Sequence, residues 1–156
     1  MNTRYQPIRY GIYSFAGIAI LFLLVKLFSL ENVGYLRLLN VFIVFYFTNK
    51  LAKRNRQLEP DDNYLYAFGS LILANAITVI LSVVSFVIYA NFIQPDFITH
   101  FDGGIFWNND VTIDQAAAVL FFEGMGSALA VSFIVVMYWN ERRPDNTCVP
   151  VEALKE

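Results

Sequence analysis

From Tyr64 to Pro95 the chain runs without one charged residue. A segment that is apolar on every side lacks the polar face of a soluble amphipathic helix, and it is stable only where lipid or protein surrounds it completely. Three further apolar runs share that property, at about 10–30, 34–52 and 116–139, the last interrupted by Glu123. With the uncharged third run taken as 64–93, each can cross roughly 30 Å of hydrocarbon, which takes about 20 helical residues at 1.5 Å each. Only 15% of residues are charged and 57% are hydrophobic, against roughly 25% charged in soluble domains. The expected fold is therefore all-α: an integral membrane four-helix bundle over 1–140, followed by a polar cytoplasmic tail at 141–156.

The first two runs are separated by Glu31-Asn32-Val33-Gly34 and read as a hairpin. No small-residue cleavage pattern follows Lys26, so the first run is a span rather than a signal peptide. In the second, the uncharged stretch from Leu38 to Asn49 is short; it crosses if Arg37 and Lys50 extend their charged ends to the two interfaces. A re-entrant segment is the alternative, but Lys50, Lys53, Arg54 and Arg56 form the basic flank of a cytoplasmic helix end. The third run exceeds one bilayer and should tilt or project from it.

Four spans put Arg4, Arg9, Lys50, Lys53, Arg54, Arg56, Arg142, Arg143 and Lys155 on one side and only Lys26 and Arg37 on the other. Lys and Arg are retained in the cytoplasm, so both termini are expected inside. Tyr5, Tyr10, Tyr64, Tyr66, Tyr138 and Trp139 then mark the inner interface, and Tyr35, Tyr89 and Trp107 the outer one. The loop from Gln94 to Gln115 faces outward, with four aspartates and no Lys or Arg. Its aromatic and aliphatic residues fit it to lie on the membrane surface or cap the bundle. Thr112 and Gln115 have capping-box spacing, so each side chain can satisfy a free backbone donor where the fourth helix begins.

Several function classes find no support. Asp96, His100, Asp102 and Asp110 are ordinary ligand types, but their spacing matches no calcium loop, and they read as turn-forming and solvating groups; no metal site is expected. The single cysteine, Cys148, has no disulfide partner. His100 and Cys148 fall on opposite sides of the proposed bilayer. No serine–histidine–acid set, zinc motif or phosphate-cradling glycine loop is present, so neither an enzyme nor a cofactor is expected. Scattered basic residues and a net charge of -2 leave no nucleic-acid footprint.

Polar residues inside the apolar runs are the informative ones. Asn75, Thr78, Ser82, Ser85 and Tyr89 are spaced to share one face of the third helix, which should look into the bundle as a packing seam. On the fourth helix, Glu123 shares a side with Ala116, Gly126, Ser127 and Ala130, whereas Phe122, Leu129, Phe133 and Val136 form a bulkier side. Small residues permit close helix approach, so Glu123 is expected to face protein or a cavity. Counted from the outer helix ends, it lies about 10 to 12 Å deep, Asn40 about 9 Å, and Lys26 and Arg37 about 5 to 6 Å. Long basic side chains span that difference. The candidate site is thus an outer-leaflet polar cluster of Lys26, Arg37, Asn40 and Glu123, joined by Tyr89, with Glu123 ionised by a basic partner. In the competing arrangement Lys26 and Arg37 reach headgroups, and Glu123 is a neutral acid bonded to a backbone carbonyl.

Four short spans, a basic second loop, the run Tyr89-Ala90-Asn91-Phe92-Ile93-Gln94-Pro95-Asp96-Phe97-Ile98 and the triplet Phe122-Glu123-Gly124 resemble an uncharacterised family of small bacterial membrane proteins, a domain of unknown function. The resemblance extends over nearly the whole chain and implies a bacterial cytoplasmic (inner) membrane; it carries no catalytic residue, substrate or cofactor. Two functions fit the residues: a noncatalytic membrane subunit or scaffold that binds the bilayer and other membrane chains or a second copy, and a small transporter or channel component with Glu123 as its proton or cation site.

Overall fold

The computed structural model describes residues 5–27, 35–58, 64–93 and 112–141, with side chains of the second helix described from 39 to 57. They form four helices: α1 (Gln6–Leu27), α2 (Tyr35–Leu58), α3 (Tyr64–Ile88) and α4 (Ile113–Glu141), with α3 continuing through a π-helical turn at Tyr89–Ile93. Pro7 is accommodated in the first turn of α1, where backbone donors have no intrahelical acceptor to lose. The capping box opens α4: the Thr112 backbone N–H donates to Gln115 Oε1 at 3.0 Å, and the Gln115 N–H donates to Thr112 Oγ1 at 3.4 Å.

Among the described residues three helical segments are long and apolar enough to cross a membrane: Gln6–Leu27, Tyr64–Ile93 and Ile113–Glu141. α2 is long enough but too polar from Lys50 onward, where it carries Lys50, Lys53, Arg54 and Arg56. It also continues to Leu58 rather than ending near Ala52. Lys, Arg and Gln are good helix formers, and Asn55 Nδ2 donates to Ser70 Oγ of α3 at 2.8 Å, giving the extension a tertiary anchor.

Around the bundle the helices stand in the order α1, α2, α4, α3. Contacts fix their directions. A Cβ on Gly11 would lie 2.7 Å from the Ala74 carbonyl oxygen, whereas further along both helices Lys26 meets Tyr89, so α1 and α3 run parallel. Ser132 and Gly124 of α4 meet Asn75 and Val79 of α3 respectively, so α4 runs opposite. We call the half where α1 and α3 begin the lower half and the half where they finish the upper half.

The apolar core sits low. Leu51 and Ala52 of α2, Leu71 and Ala74 of α3, and Val131, Val135 and Val136 of α4 are buried together, flanked by Tyr10, Tyr64, Phe68 and Trp139. Large apolar side chains point away from the bundle around its circumference: Leu23 is 63% exposed, Phe42 69% and Phe122 73%. Such a girdle on a soluble protein would drive aggregation; on these helices it is a surface for lipid tails. The chain is a membrane protein built as a helical bundle.

Candidate functional site

Two polar assemblies occupy the bundle, one in each half. The lower one is centred on Asn75, which is 2% exposed. Thr48 Oγ1 of α2 donates to Asn75 Oδ1 at 2.9 Å, and Asn75 Nδ2 donates to Ser132 Oγ of α4, also at 2.9 Å. Ser132 Oγ then donates to the Ala128 carbonyl at 2.7 Å. Because the serine proton is committed to that carbonyl, Ser132 can only accept from Asn75, and the amide orientation follows from the network. One side chain thereby ties three helices together.

Thr78, one turn further along α3, adds the fourth helix. Its hydroxyl reaches the Gly11 carbonyl of α1 at 3.0 Å and its own Ala74 carbonyl at 3.1 Å. Glycine at 11 is required by that approach, since any side chain would meet the Ala74 carbonyl and the Ile77 side chain. Nearer the lower end, Trp139 Nε1 donates to Asn49 Oδ1 at 2.7 Å, and the Arg56 guanidinium lies 5.9 Å from the Trp139 ring centroid.

The upper assembly joins α1 to the π turn. Lys26 Nζ donates to Tyr89 Oη, and the same ammonium lies 4.7 Å from the centroid of the Tyr89 ring, within range of a cation–π attraction. Phe22 meets that ring edge-on at 5.2 Å between centroids. Two residues on, Asn91 Nδ2 donates to the Val87 carbonyl at 2.9 Å, satisfying an acceptor beside the change from α- to π-helical bonding. π turns recur where a helix positions functional groups.

The expected residues are therefore distributed unevenly. Lys26 and Tyr89 are brought together. Asn40 is half-buried on α2, Arg37 lies on α2 with its side chain outside the described set, and Asp96, His100, Asp102 and Asp110 lie outside the described residues. Asn75 and Thr78 look inward and bind neighbouring helices, as a packing seam requires. Ser82 Oγ is buried but has no hydrogen-bond partner, and Ser85 is exposed. Of the α3 stripe, Ser85 is the member that leaves the interior.

Glu123 is not on the packed side of α4, contrary to the spacing-based expectation. The inward face is Gly124, Ala128, Val131, Ser132, Val135 and Val136, and Ala116 in the first turn is buried as expected, while Glu123, Gly126 and Ala130 are exposed. Gly124 decides the rotation: a Cβ there would stand 3.0 Å from Val79 Cγ1, whereas one on Gly126 would have nothing within 4 Å. Both are small, but only Gly124 continues at helical spacing into Ala128, Val131 and Val135. Thr48, Ser132 and Gly11 were not singled out by sequence; the usable signal was the match of Ser132 to the Ala128 and Val135 face.

Residues 9–102 match the family described as a protein of unknown function (DUF4199). The chain belongs to that family. The match takes in most of α1 and the whole of α2, α3 and the π turn, with both Lys26 and Tyr89; Phe122-Glu123-Gly124 lies beyond it. No curated protein and no solved structure matches the chain.

Proposed function

We propose that this chain is a noncatalytic membrane subunit or scaffold, inserted in the cytoplasmic membrane of a bacterium with both termini inside, α2 as the fourth crossing, and other membrane chains or a second copy as partners. The observation that carries the reading is how the polar groups are spent. Asn75, Thr48, Ser132 and Thr78 are committed to holding the four helices to one another, which is structural rather than chemical work. Meanwhile Gly126 and Ala130 are exposed four residues apart on α4, a small-residue pair of the kind that admits a second helix closely. The lysines and arginines at the lower end of α2 support the inward orientation.

Cross-linking in native membranes, followed by purification in mild detergent, tests this reading. A stoichiometric complex is expected, and Gly126→Leu should dissolve it without unfolding the monomer, because a Cβ at that position meets nothing within 4 Å among the described residues. A strictly monomeric chain in native membranes would overturn it.

The Lys26–Tyr89 pair beside a π turn favours a second reading, a small transporter or channel component in which Glu123 binds a proton or cation. That reading requires pH-dependent flux in liposomes that disappears with Glu123→Gln. Flux unaffected by the substitution removes Glu123 from the path.

A further inference from the structure

From the lower end of α2 we infer a binding site for a phosphate oxyanion, supplied by the headgroup of an anionic phospholipid and centred on Arg54. Arg54 is half-buried, and its Nε is enclosed without a hydrogen-bond partner. An enclosed guanidinium N–H left unpaired is among the costlier defects a fold can carry; a partner from outside the chain satisfies it once the half-buried guanidinium turns outward to meet that partner. The surrounding charge selects the sign of that partner. Lys50, four residues before Arg54, is its neighbour on the helix surface, and like charges at that spacing destabilise a helix unless an anion lies between them; Lys53, next to Arg54 in sequence, adds to the local positive charge from another side of α2.

Position within the bundle makes the partner a lipid. Leu51, Ala52 and Asn55 mark the face of α2 turned to the core. Arg54 and Arg56 fall on opposite flanks of that face at 100° per residue. Arg56 takes the flank against Trp139 of α4, so Arg54 takes the flank toward α1, the other neighbour of α2. Tyr10 and Tyr13 lie near the start of α1, in edge-to-face contact at 6.2 Å between centroids. Tyrosine rings at that level and a basic cluster at the edge of the apolar girdle are the setting in which a diacyl lipid presents its phosphate to an arginine fork. Glu59, Asp61 and Asp62 follow in sequence and lie outside the described residues.

Native mass spectrometry of the full chain, titrated with phosphatidylglycerol or phosphatidylcholine, tests the site. Phosphatidylglycerol is expected to bind in preference to phosphatidylcholine. Arg54→Gln should weaken its binding about fivefold or more, whereas removing the same charge from the other flank, in Arg56→Gln, should change it less than about twofold. Arg54→Lys keeps the charge without the fork and should recover part of the loss, which keeps the test open if Arg54→Gln folds poorly. Competition by excess inorganic phosphate would assign the oxyanion to a soluble source, while its failure to compete assigns it to the lipid. Equal binding of the two lipids, or equal loss in the Arg54 and Arg56 variants, would overturn the site.

Discussion

The two halves of the bundle are built on different principles. The lower half is cross-tied: among the described residues, five side-chain hydrogen bonds join different helices there, through Thr48, Asn75, Thr78, Asn55 and Trp139. At about 0.6 kcal/mol each these supply on the order of 3 kcal/mol. The buried apolar core lies among them. In the upper half the buried apolar residues, among those described, are Ala90 and Ala116, and Lys26–Tyr89 bridges α1 and the π turn. Leu27 at the end of α1 and Phe92 in the π turn are 75% and 83% exposed. Among the described residues, the cross-helix hydrogen bonds and the apolar core are therefore concentrated at one end.

The contrast can be broken most severely at Gly11. Gly11→Val would drive a branched side chain into the Ala74 carbonyl and Ile77, prising α1 from α3 and stretching the Thr78 bond. Overpacking of this kind costs roughly 1–3 kcal/mol, and the lost bond places this variant at the upper end. Gly126→Ala is the matching test on the open face. Its Cβ meets nothing within 4 Å, so equilibrium unfolding of the monomer in detergent should show no loss. Equal losses for the two glycines would mean that α4 is packed on both sides and that the contrast is false.

Asn75→Ala comes next. It removes two interhelical bonds and leaves Thr48 and Ser132 facing an apolar gap, for an expected loss of about 1–2 kcal/mol. The three residues act as one unit, so adding Thr48→Val to Asn75→Ala should cost little more. Additive losses in that double-mutant cycle would show that Asn75 is not the hub.

These variants also mark where sequence alone was sufficient. Helix existence, the α4 cap at Thr112 and Gln115, and the inward aim of Asn75 and Thr78 follow from patterns contained within one segment: apolar length, cap spacing and a polar stripe. Thr48 and Ser132 each stand alone in apolar surroundings, and their partner is set by the register between helices, which no single segment encodes. Glu123 illustrates the same limit. Gly124 and Gly126 both offered a small surface, and the Val79 side chain of another helix decided which would face inward.

The smallest effect is expected at Tyr89. Tyr89→Phe deletes the hydroxyl that accepts from Lys26 but keeps the ring under the ammonium and the edge contact with Phe22. A single interhelical bond averages about 0.6 kcal/mol and other attractions persist, so global stability should fall by less than about 1 kcal/mol. The consequence should instead be local: faster hydrogen exchange at Ala90–Ile93, with exchange at Asn75 and Thr78 unchanged, because the bonds of the Asn75 assembly do not run through Tyr89. If Tyr89→Phe cost as much as Asn75→Ala, or loosened the Asn75 region as well, the upper half would be tied into the same cooperative unit, and the bundle would lose the asymmetry on which a partner-binding upper half depends.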